Sequence, residues 1–265
     1  MATEKKGLIF IGGPCAIENK SETLDIASYL KDLFSILPVR FIFKASFDKA
    51  NRTSIRSPRG AGLAKGMKIL EAVKRKLNVP ILSDVHCIEQ VKAVKDVLDI
   101  IQIPAFLCRQ TDLILEAAKT KKTINIKKGQ FISPADVKYI IEKIASTGNK
   151  NIFITERGSC FGYNSLVVDF RSFLIMKKFG YPVIYDVTHS LQRPSAKGGV
   201  SGGDREFAEP LARAAVACGV DGLFMEVHPK PSMALSDPHT SFPLAKLRGL
   251  ITKILKIREV INEGN

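Results

Sequence analysis

The sequence lacks the marks of several protein classes at once. It has no apolar run long enough to span a membrane, and residues 1–6 are polar and charged rather than a secretory leader. Its five cysteines, Cys15, Cys87, Cys108, Cys160 and Cys218, are odd in number, and no two stand in a Cys-x-x-Cys spacing. That argues against a disulfide framework, and a reducing, cytoplasmic setting is expected. There is no linker, repeat period or low-complexity tract, so residues 1–265 read as one domain.

Acidic residues are also in short supply, with 26 Asp and Glu against 40 Lys and Arg, for a formal net charge of +14. Such an excess admits nucleic acid, anionic membranes or small anionic substrates as partners. The basic residues form no stripe and no recognisable nucleic-acid module. They are scattered, with many at the ends of expected strands. Phosphorylated small molecules are therefore the expected partners, with no nucleic acid and no membrane.

What the chain does have is alternation. Eight apolar, β-branched runs occur at 8–12, 39–43, 80–83, 100–103, 123–126, 151–155, 182–185 and 222–225. Amphipathic stretches separate them: Leu63, Met67, Leu70 and Leu77 share one helical face, as do Val137, Ile140, Ile141 and Ile144. Ser133-Pro134 makes a helix start, and a last helix from about Pro243 turns Leu244, Leu247, Ile251 and Ile254 inward. At this length, eightfold alternation predicts a (β/α)8 barrel, with an open doubly wound sheet as the alternative. Helix-to-strand connections are short, at Asn78, Gly148, Gly180 and Gly219, whereas 46–62, 190–204 and 228–242 are long strand-to-helix connections. In such barrels the strand-to-helix face is the active one. The glycine-rich stretch 195–203 is expected to be a mobile lid over it.

The strand ends carry the chemistry. The first ends in Gly13-Pro14-Cys15, the seventh in Asp186-Val187-Thr188-His189 and the eighth in Glu226-Val227-His228, with Asp237 in the loop beyond. In a closed barrel the eighth strand lies beside the first, so Cys15, His189, Glu226 and Asp237 share one arc of the mouth. A thiolate, an imidazole and two carboxylates suit a divalent zinc, iron or manganese ion. Lys44, Lys49 and Arg52 follow the second strand, Arg109 the fourth, Lys127 and Lys128 the fifth, and Arg157 the sixth. One cation at a strand end is a solvated cap; so many at one mouth suit phosphate and carboxylate groups. Asp84 and His86 end the third strand and are candidates for proton transfer or water positioning, a structural hydrogen bond being the alternative for His86.

Long stretches of the chain resemble the 3-deoxy-manno-octulosonate 8-phosphate synthases. They are Lys49-Ala50-Asn51-Arg52, the run from Gln102 to Asp112, Phe161-Gly162-Tyr163-Asn164 with Val167-Val168-Asp169, and Asp186 to Ser190. The likeness spans roughly residues 8–258. It implies condensation of phosphoenolpyruvate with arabinose 5-phosphate and water, releasing phosphate, for lipopolysaccharide synthesis. Lys49, Lys127 and Arg157, with Gln102 nearby, would hold phosphoenolpyruvate, and Lys44 would touch the reacting groups. Asn51 would meet sugar hydroxyls. Arg52 would bind the sugar phosphate, with Thr53 standing where serine is usual. Arg109 and Gln110 would reach in from a neighbouring subunit of a homotetramer. Metal-independent members carry asparagine at the position of Cys15, so the resemblance implies the metal-dependent branch. Lys44, Lys49, His86, His189 and Asp237 are the expected catalytic groups.

The nearest rival reading is a 3-deoxy-arabino-heptulosonate 7-phosphate synthase acting on erythrose 4-phosphate. Its loop typically has Lys-Pro-Arg where this chain has Lys49-Ala50-Asn51-Arg52, and Asn51 offers a donor that proline lacks. A Schiff-base aldolase acting through Lys127 and a nucleic-acid-binding protein complete the alternatives.

Overall fold

The computed structural model describes residues 7–197 and 200–263, so the polar lead at 1–6 lies outside the described residues. Eight strands are laid down in chain order: β1 (Leu8–Gly13), β2 (Val39–Lys44), β3 (Ile81–Asp84), β4 (Ile100–Ile103), β5 (Thr123–Lys127), β6 (Ile152–Glu156), β7 (Val183–Asp186) and β8 (Gly222–His228). Each pairs in parallel with the next, and β8 returns to β1 with Ile9 opposite Gly222 and Gly13 opposite Glu226. The sheet is therefore closed, as the (β/α)8 reading requires, and the open sheet is ruled out. Around it run α1 (Lys20–Ser35), α2 (Leu63–Leu77), α3 (Ile88–Val94), α4 (Thr111–Lys119), α5 (Val137–Ala145), α6 (Arg171–Lys177), α7 (Ala208–Ala217) and α8 (Leu244–Glu263). None is long and apolar enough to cross a membrane.

Strand alternation sorts the core into two bodies. Leu8, Phe10, Ile101, Ile103, Ile152, Ile154, Leu223 and Met225 point outward and join the large cluster beneath the helices. Ile9, Ile11, Ile42, Leu82, Ile100, Phe153, Ile184 and Phe224 point inward and form a separate apolar floor within the barrel. Two residues past these floor positions, on the same inward face, stand Lys44, Asp84, Gln102, Thr155, Asp186 and Glu226. The mouth is thus the next inward layer of the same strands.

The helices follow the expected faces. Met67, Leu70 and Leu77 of α2 are buried, as are Val137, Ile140, Ile141 and Ile144 of α5. Ser133 Oγ accepts from the Ala135 amide ahead of α5, in a short 3-10 turn over Pro134–Asp136. All four short connections turn through left-handed residues, Asn78 at φ 51, Gly148 at φ 78, Gly180 at φ 79 and Gly219 at φ 80.

Two features depart from expectation. Strand β8 runs on to His228, beyond the 222–225 expected, because Phe242–Pro243 pairs beside Val227 and His228. The stretch read as a glycine-rich lid is an antiparallel ribbon, Gln192–Lys197 against Val200–Gly203, with residues 198–199 outside the described set. Glycine there serves close packing: a Cβ on Gly203 would lie 2.1 Å from Thr240 Cγ2.

A similar close approach joins β1 to β2 under the site. A Cβ on Gly13 would fall 2.0 Å from the Lys44 carbonyl oxygen, a backbone atom that cannot rotate away. Gly13→Ala is expected to destabilise the fold by about 1–3 kcal/mol through forced separation of the strands. Thermal melting tests this, and an unchanged Tm would refute it.

Candidate active site at the barrel mouth

The strand ends bring Cys15, His189, Glu226 and Asp237 together, with one possible ligand atom from each lying within 4.8 Å of all the others. Cys15 follows β1, His189 sits in a helical turn (Val187–Ser190) after β7, Glu226 is in β8, and Asp237 lies in the loop beyond. Asp237 holds the left-handed conformation, φ 51, which aspartate tolerates better than most residues. Cys15 Sγ donates to Ser236 Oγ at 2.7 Å and contacts Asp237 Oδ2 at 3.1 Å.

The donor set has the character of a cation site. His189 presents both ring nitrogens to carboxylates, Nδ1 at 2.8 Å from Asp186 Oδ2 and Nε2 at 3.4 Å from Glu226 Oε1, and Nδ1 makes no aligned hydrogen bond among the described residues. Glu226 Oε2 is buried with no hydrogen-bond partner among the described residues. Burial, and then the field of Glu226, push the Cys15 thiol well above its ordinary value. A divalent cation would satisfy both of these features, because it accepts the carboxylate lone pair and favours the thiolate.

Above the cluster opens a cleft of about 590 Å³ lined by Lys44, Lys49, Lys127, Arg157, His189 and Asp237, with Asn51, Arg52, Thr53, His86 and Gln102 on its walls. Its cations are held by carboxylates from below. Lys44 Nζ donates to Glu226 Oε1 at 2.5 Å and to the Cys15 carbonyl at 2.9 Å; Lys49 Nζ approaches Glu226 Oε1 at 3.4 Å. Burial alone would raise Glu226, but His189, Lys44 and Lys49 hold it well below the usual carboxylate range. Burial would lower Lys49, yet Cys15 and Glu226 more than reverse this and keep it well above its ordinary value.

Lys127 Nζ donates to Asp186 Oδ2 and rests 3.3 Å from the centroid of the Phe224 ring. Burial wins at this lysine and brings its pKa down to about 8. Arg157 Nη2 donates to Gln192 at 2.7 Å, while its Nη1 is buried without a partner among the described residues. Gln102 is aimed by a relay: Asn125 Nδ2 donates to Gln102 Oε1 at 2.9 Å, and Thr155 Oγ1 donates to Asn125 Oδ1 at 2.6 Å. That leaves the Gln102 amide N–H groups for the cleft.

His86 has an acceptor at each ring nitrogen, Gln90 Oε1 at 3.0 Å from Nδ1 and Asp84 Oδ2 at 3.1 Å from Nε2. Burial would lower its pKa, but the bond to Asp84 raises it overall, so the imidazolium form is favoured. Both the structural bond and a place at the cleft therefore hold for His86. Arg52 Nε donates to the Pro58 carbonyl at 2.8 Å, which folds the loop after β2 over the cleft.

Arg109 and Gln110 do not join these residues. Both are exposed at the start of α4, and the Arg109 carbonyl accepts from Lys143 Nζ at 3.0 Å. Lys128, noted among the cations, turns away as well. It is fully buried and bonded to Ser159 Oγ and to the Gly129 and Ile132 carbonyls, with Glu156 at 3.5 Å.

Sequence reasoning assigned no role to Asp186, which binds Lys127, His189 Nδ1 and the His189 amide. It also passed over Ser236, Gln192 and the Phe224 face. The Asp186-Val187-Thr188-His189 run did hold a signal, since an aspartate three residues before a histidine in one helical turn can cap that turn and meet the ring.

A second group of possible ligands, Glu18, Glu22 and His228, lies near the start of α1. The Lys230 amide donates to His228 Nδ1 at 3.0 Å, and Nε2 lies 2.9 Å from Glu22 Oε1 without an aligned hydrogen bond among the described residues. The Nδ1 lone pair is thus taken by the chain's own amide, and only Nε2 is left to meet a ligand there.

Comparison with known proteins matches the DAHP synthetase I family over residues 2–263. A 2-dehydro-3-deoxyphosphooctonate aldolase of Trichlorobacter lovleyi is 54% identical over 254 residues, covering 96% of this chain and 93% of the relative. Proteins of the same name from Geobacter sp. (strain M21) and Desulfotalea psychrophila are 54% and 52% identical over 256 residues. Each match covers 97% of this chain, with 94% and 91% of the respective relatives.

Proposed function

The chain belongs to the DAHP synthetase I family, and from that premise we propose a function matching the name of its 2-dehydro-3-deoxyphosphooctonate aldolase relatives. It condenses phosphoenolpyruvate with D-arabinose 5-phosphate and water to give 3-deoxy-D-manno-octulosonate 8-phosphate and inorganic phosphate, a step of lipopolysaccharide biosynthesis. The observation that carries this reading is the ring of Lys44, Lys49, Lys127 and Arg157 in one cleft over the four-residue donor cluster. Two phosphorylated substrates need such a concentration of cations, and the cluster lies where an aldehyde oxygen could be polarised.

Lys49, Lys127 and Arg157 bind the phosphate and carboxylate of phosphoenolpyruvate, and Gln102 donates beside them. Arg52 and Thr53 receive the sugar phosphate and Asn51 a sugar hydroxyl. C3 of the enolpyruvate adds to the sugar aldehyde, so positive charge develops at C2 and negative charge on the former aldehyde oxygen. Water adds at C2, and phosphate departs from the tetrahedral product by C–O cleavage. Cys15, His189, Glu226 and Asp237 hold a divalent zinc, iron or manganese ion, which when bound supplies Lewis acidity and a template for the aldehyde. Lys44 keeps the Glu226 carboxylate ionised beside the reacting groups. His86, favoured as the imidazolium, gives a proton or steadies an anion more readily than it takes a proton from water. The family likeness further supports a cytoplasmic homotetramer in which exposed Arg109 and Gln110 complete the sugar-phosphate pocket of a neighbouring subunit.

The deciding assay is phosphate release from phosphoenolpyruvate with arabinose 5-phosphate and erythrose 4-phosphate in parallel. Preference for the five-carbon sugar is expected, with Asn51 as its specificity contact. Preference for erythrose 4-phosphate would keep the barrel and donor site and overturn the acceptor.

A pH dependence follows from Lys127, whose pKa is brought down to about 8 by burial. Its charged form is the one that binds enolpyruvate, so kcat/KM should fall as pH rises through that value and be level below it. Since kcat/KM reports the free enzyme, the limb should shift in Lys127→Arg. A profile flat from pH 7 to about 10 would contradict this assignment.

A further inference from the structure

Gln192 opens the ribbon, and its side-chain amide is held between two groups of opposite charge. Arg157 Nη2 donates to Gln192 Oε1 at 2.7 Å, and Gln192 Nε2 donates to Asp237 Oδ1 at 2.7 Å. Charge fixes the orientation of the amide: turned over, its NH2 would face the guanidinium and its oxygen the carboxylate. The backbone is fixed too, since Gln192 pairs with Gly203 and the Asp204 amide donates to the Leu191 carbonyl at 3.2 Å.

The two groups held by this amide serve different ligands under the function proposed above. Arg157 binds the enolpyruvate anion, and Asp237 belongs to the cation cluster. Asp237 has its other oxygen, Oδ2, against Cys15 and Ser236, and its left-handed backbone is steadied by the Ser241 amide donating to its carbonyl at 2.9 Å. Arg157 keeps Nη1 buried and without a partner among the described residues, so Gln192 is the group that sets where that nitrogen points. A carboxylate drawn toward a cation would carry the amide with it, and the amide would re-aim the guanidinium.

We propose that Gln192 is a positioning residue that couples the cation cluster to the enolpyruvate site, so that each ligand strengthens the binding of the other through the Arg157–Gln192–Asp237 bridge. This rests on the assignment of Arg157 and Asp237 to those two ligands. Direct attraction between cation and anion supplies part of any coupling; the bridge supplies the remainder, and linkage makes the effect reciprocal.

The test measures binding on metal-free protein and on protein loaded with cobalt(II). Calorimetry gives the affinity for phosphoenolpyruvate in both states, and their ratio is the coupling factor. The thiolate-to-cobalt absorption reports whether Cys15 still binds the ion. Gln192→Met removes both hydrogen bonds at similar size, and Gln192→Glu keeps an acceptor for Arg157 while losing donation to Asp237. Both variants are expected to bind cobalt with the thiolate band intact and to lower the coupling factor about tenfold, within the range usual for coupled sites. If one variant does not fold, the other carries the comparison. A coupling factor equal to that of the unaltered protein in a folded, cobalt-binding variant overturns the proposal. Unaltered protein that binds cobalt but no phosphoenolpyruvate would instead overturn the functional assignment beneath it.

Discussion

Lys127→Met is expected to lower kcat/KM for phosphoenolpyruvate by about 10²–10³-fold, the cost typical of removing one preorganised charge donor. Its position leaves no neighbour able to substitute. The ammonium is wedged between the Asp186 carboxylate and the Phe224 ring, beneath the cleft and almost out of solvent. Lys44 and Lys49 are both committed to Glu226. The substitution should also lower stability, since breaking a buried ion pair costs about 3–5 kcal/mol. His189 remains beside Asp186 to share the stranded charge, so the lower end of that range is expected. Steady-state kinetics and chemical denaturation on the same variant separate the two effects. A variant with near-normal kcat/KM would remove Lys127 from the substrate site; one with normal stability would mean that Asp186 is fully compensated by His189.

The second large effect concerns the four-residue cluster. Chelation should lower activity by at least about 10²-fold, since Lewis-acid stabilisation of a developing alkoxide is worth several kcal/mol. Cys15→Asn should change the response to chelator more than it changes the fold. An asparagine amide at that position can donate to Asp237 Oδ2 or Ser236 Oγ, which the Cys15 thiol now contacts at 3.1 and 2.7 Å. It puts partial positive charge where an ion would otherwise neutralise Asp237. Activity that persists in chelator for Cys15→Asn, with a further change in the loop after Glu226 if needed, is the expected result. Complete loss that no such second change restores would show that the asparagine amide cannot stand in for the charge an ion supplies at Asp237.

The barrel was legible in the sequence because most of its strands are apolar runs whose last inward residue turns polar. Ile42 followed by Lys44, and Phe224 followed by Glu226, are visible in one dimension. The four-residue donor cluster was legible for a topological reason: once eight strands close, β1 and β8 must be neighbours, so Cys15 and Glu226 must approach. The groups that orient the site were less visible. Gln192 lies in a stretch whose glycines signal a loop, and its role depends on two partners 35 and 45 residues away. Ser236 reaches Cys15 across 221 residues. No periodicity announces such contacts, because they are made between loops whose geometry the barrel sets.

The same logic explains why the ribbon was missed. Strand propensity argues against its glycines, but the fit of Gly203 against Thr240 and the pairing of Gln192 with Gly203 are tertiary facts. Arg109 and Gln110 illustrate the converse. Their motif is plain in the sequence, yet within a single chain they face solvent.

The layered interior bears on how such a protein can change over generations. Floor and mouth are written two residues apart on the same strands, but the loop of Asn51, Arg52 and Thr53 after β2 belongs to neither layer. Under the roles proposed above, an inherited alteration in that loop would shift the choice of sugar without touching Ile42 or Lys44 beneath it. The donor half of the reaction is thereby insulated from experiments in acceptor choice. Sister activities that share an enol donor and differ in the aldehyde are the lineage pattern such a barrel makes easy.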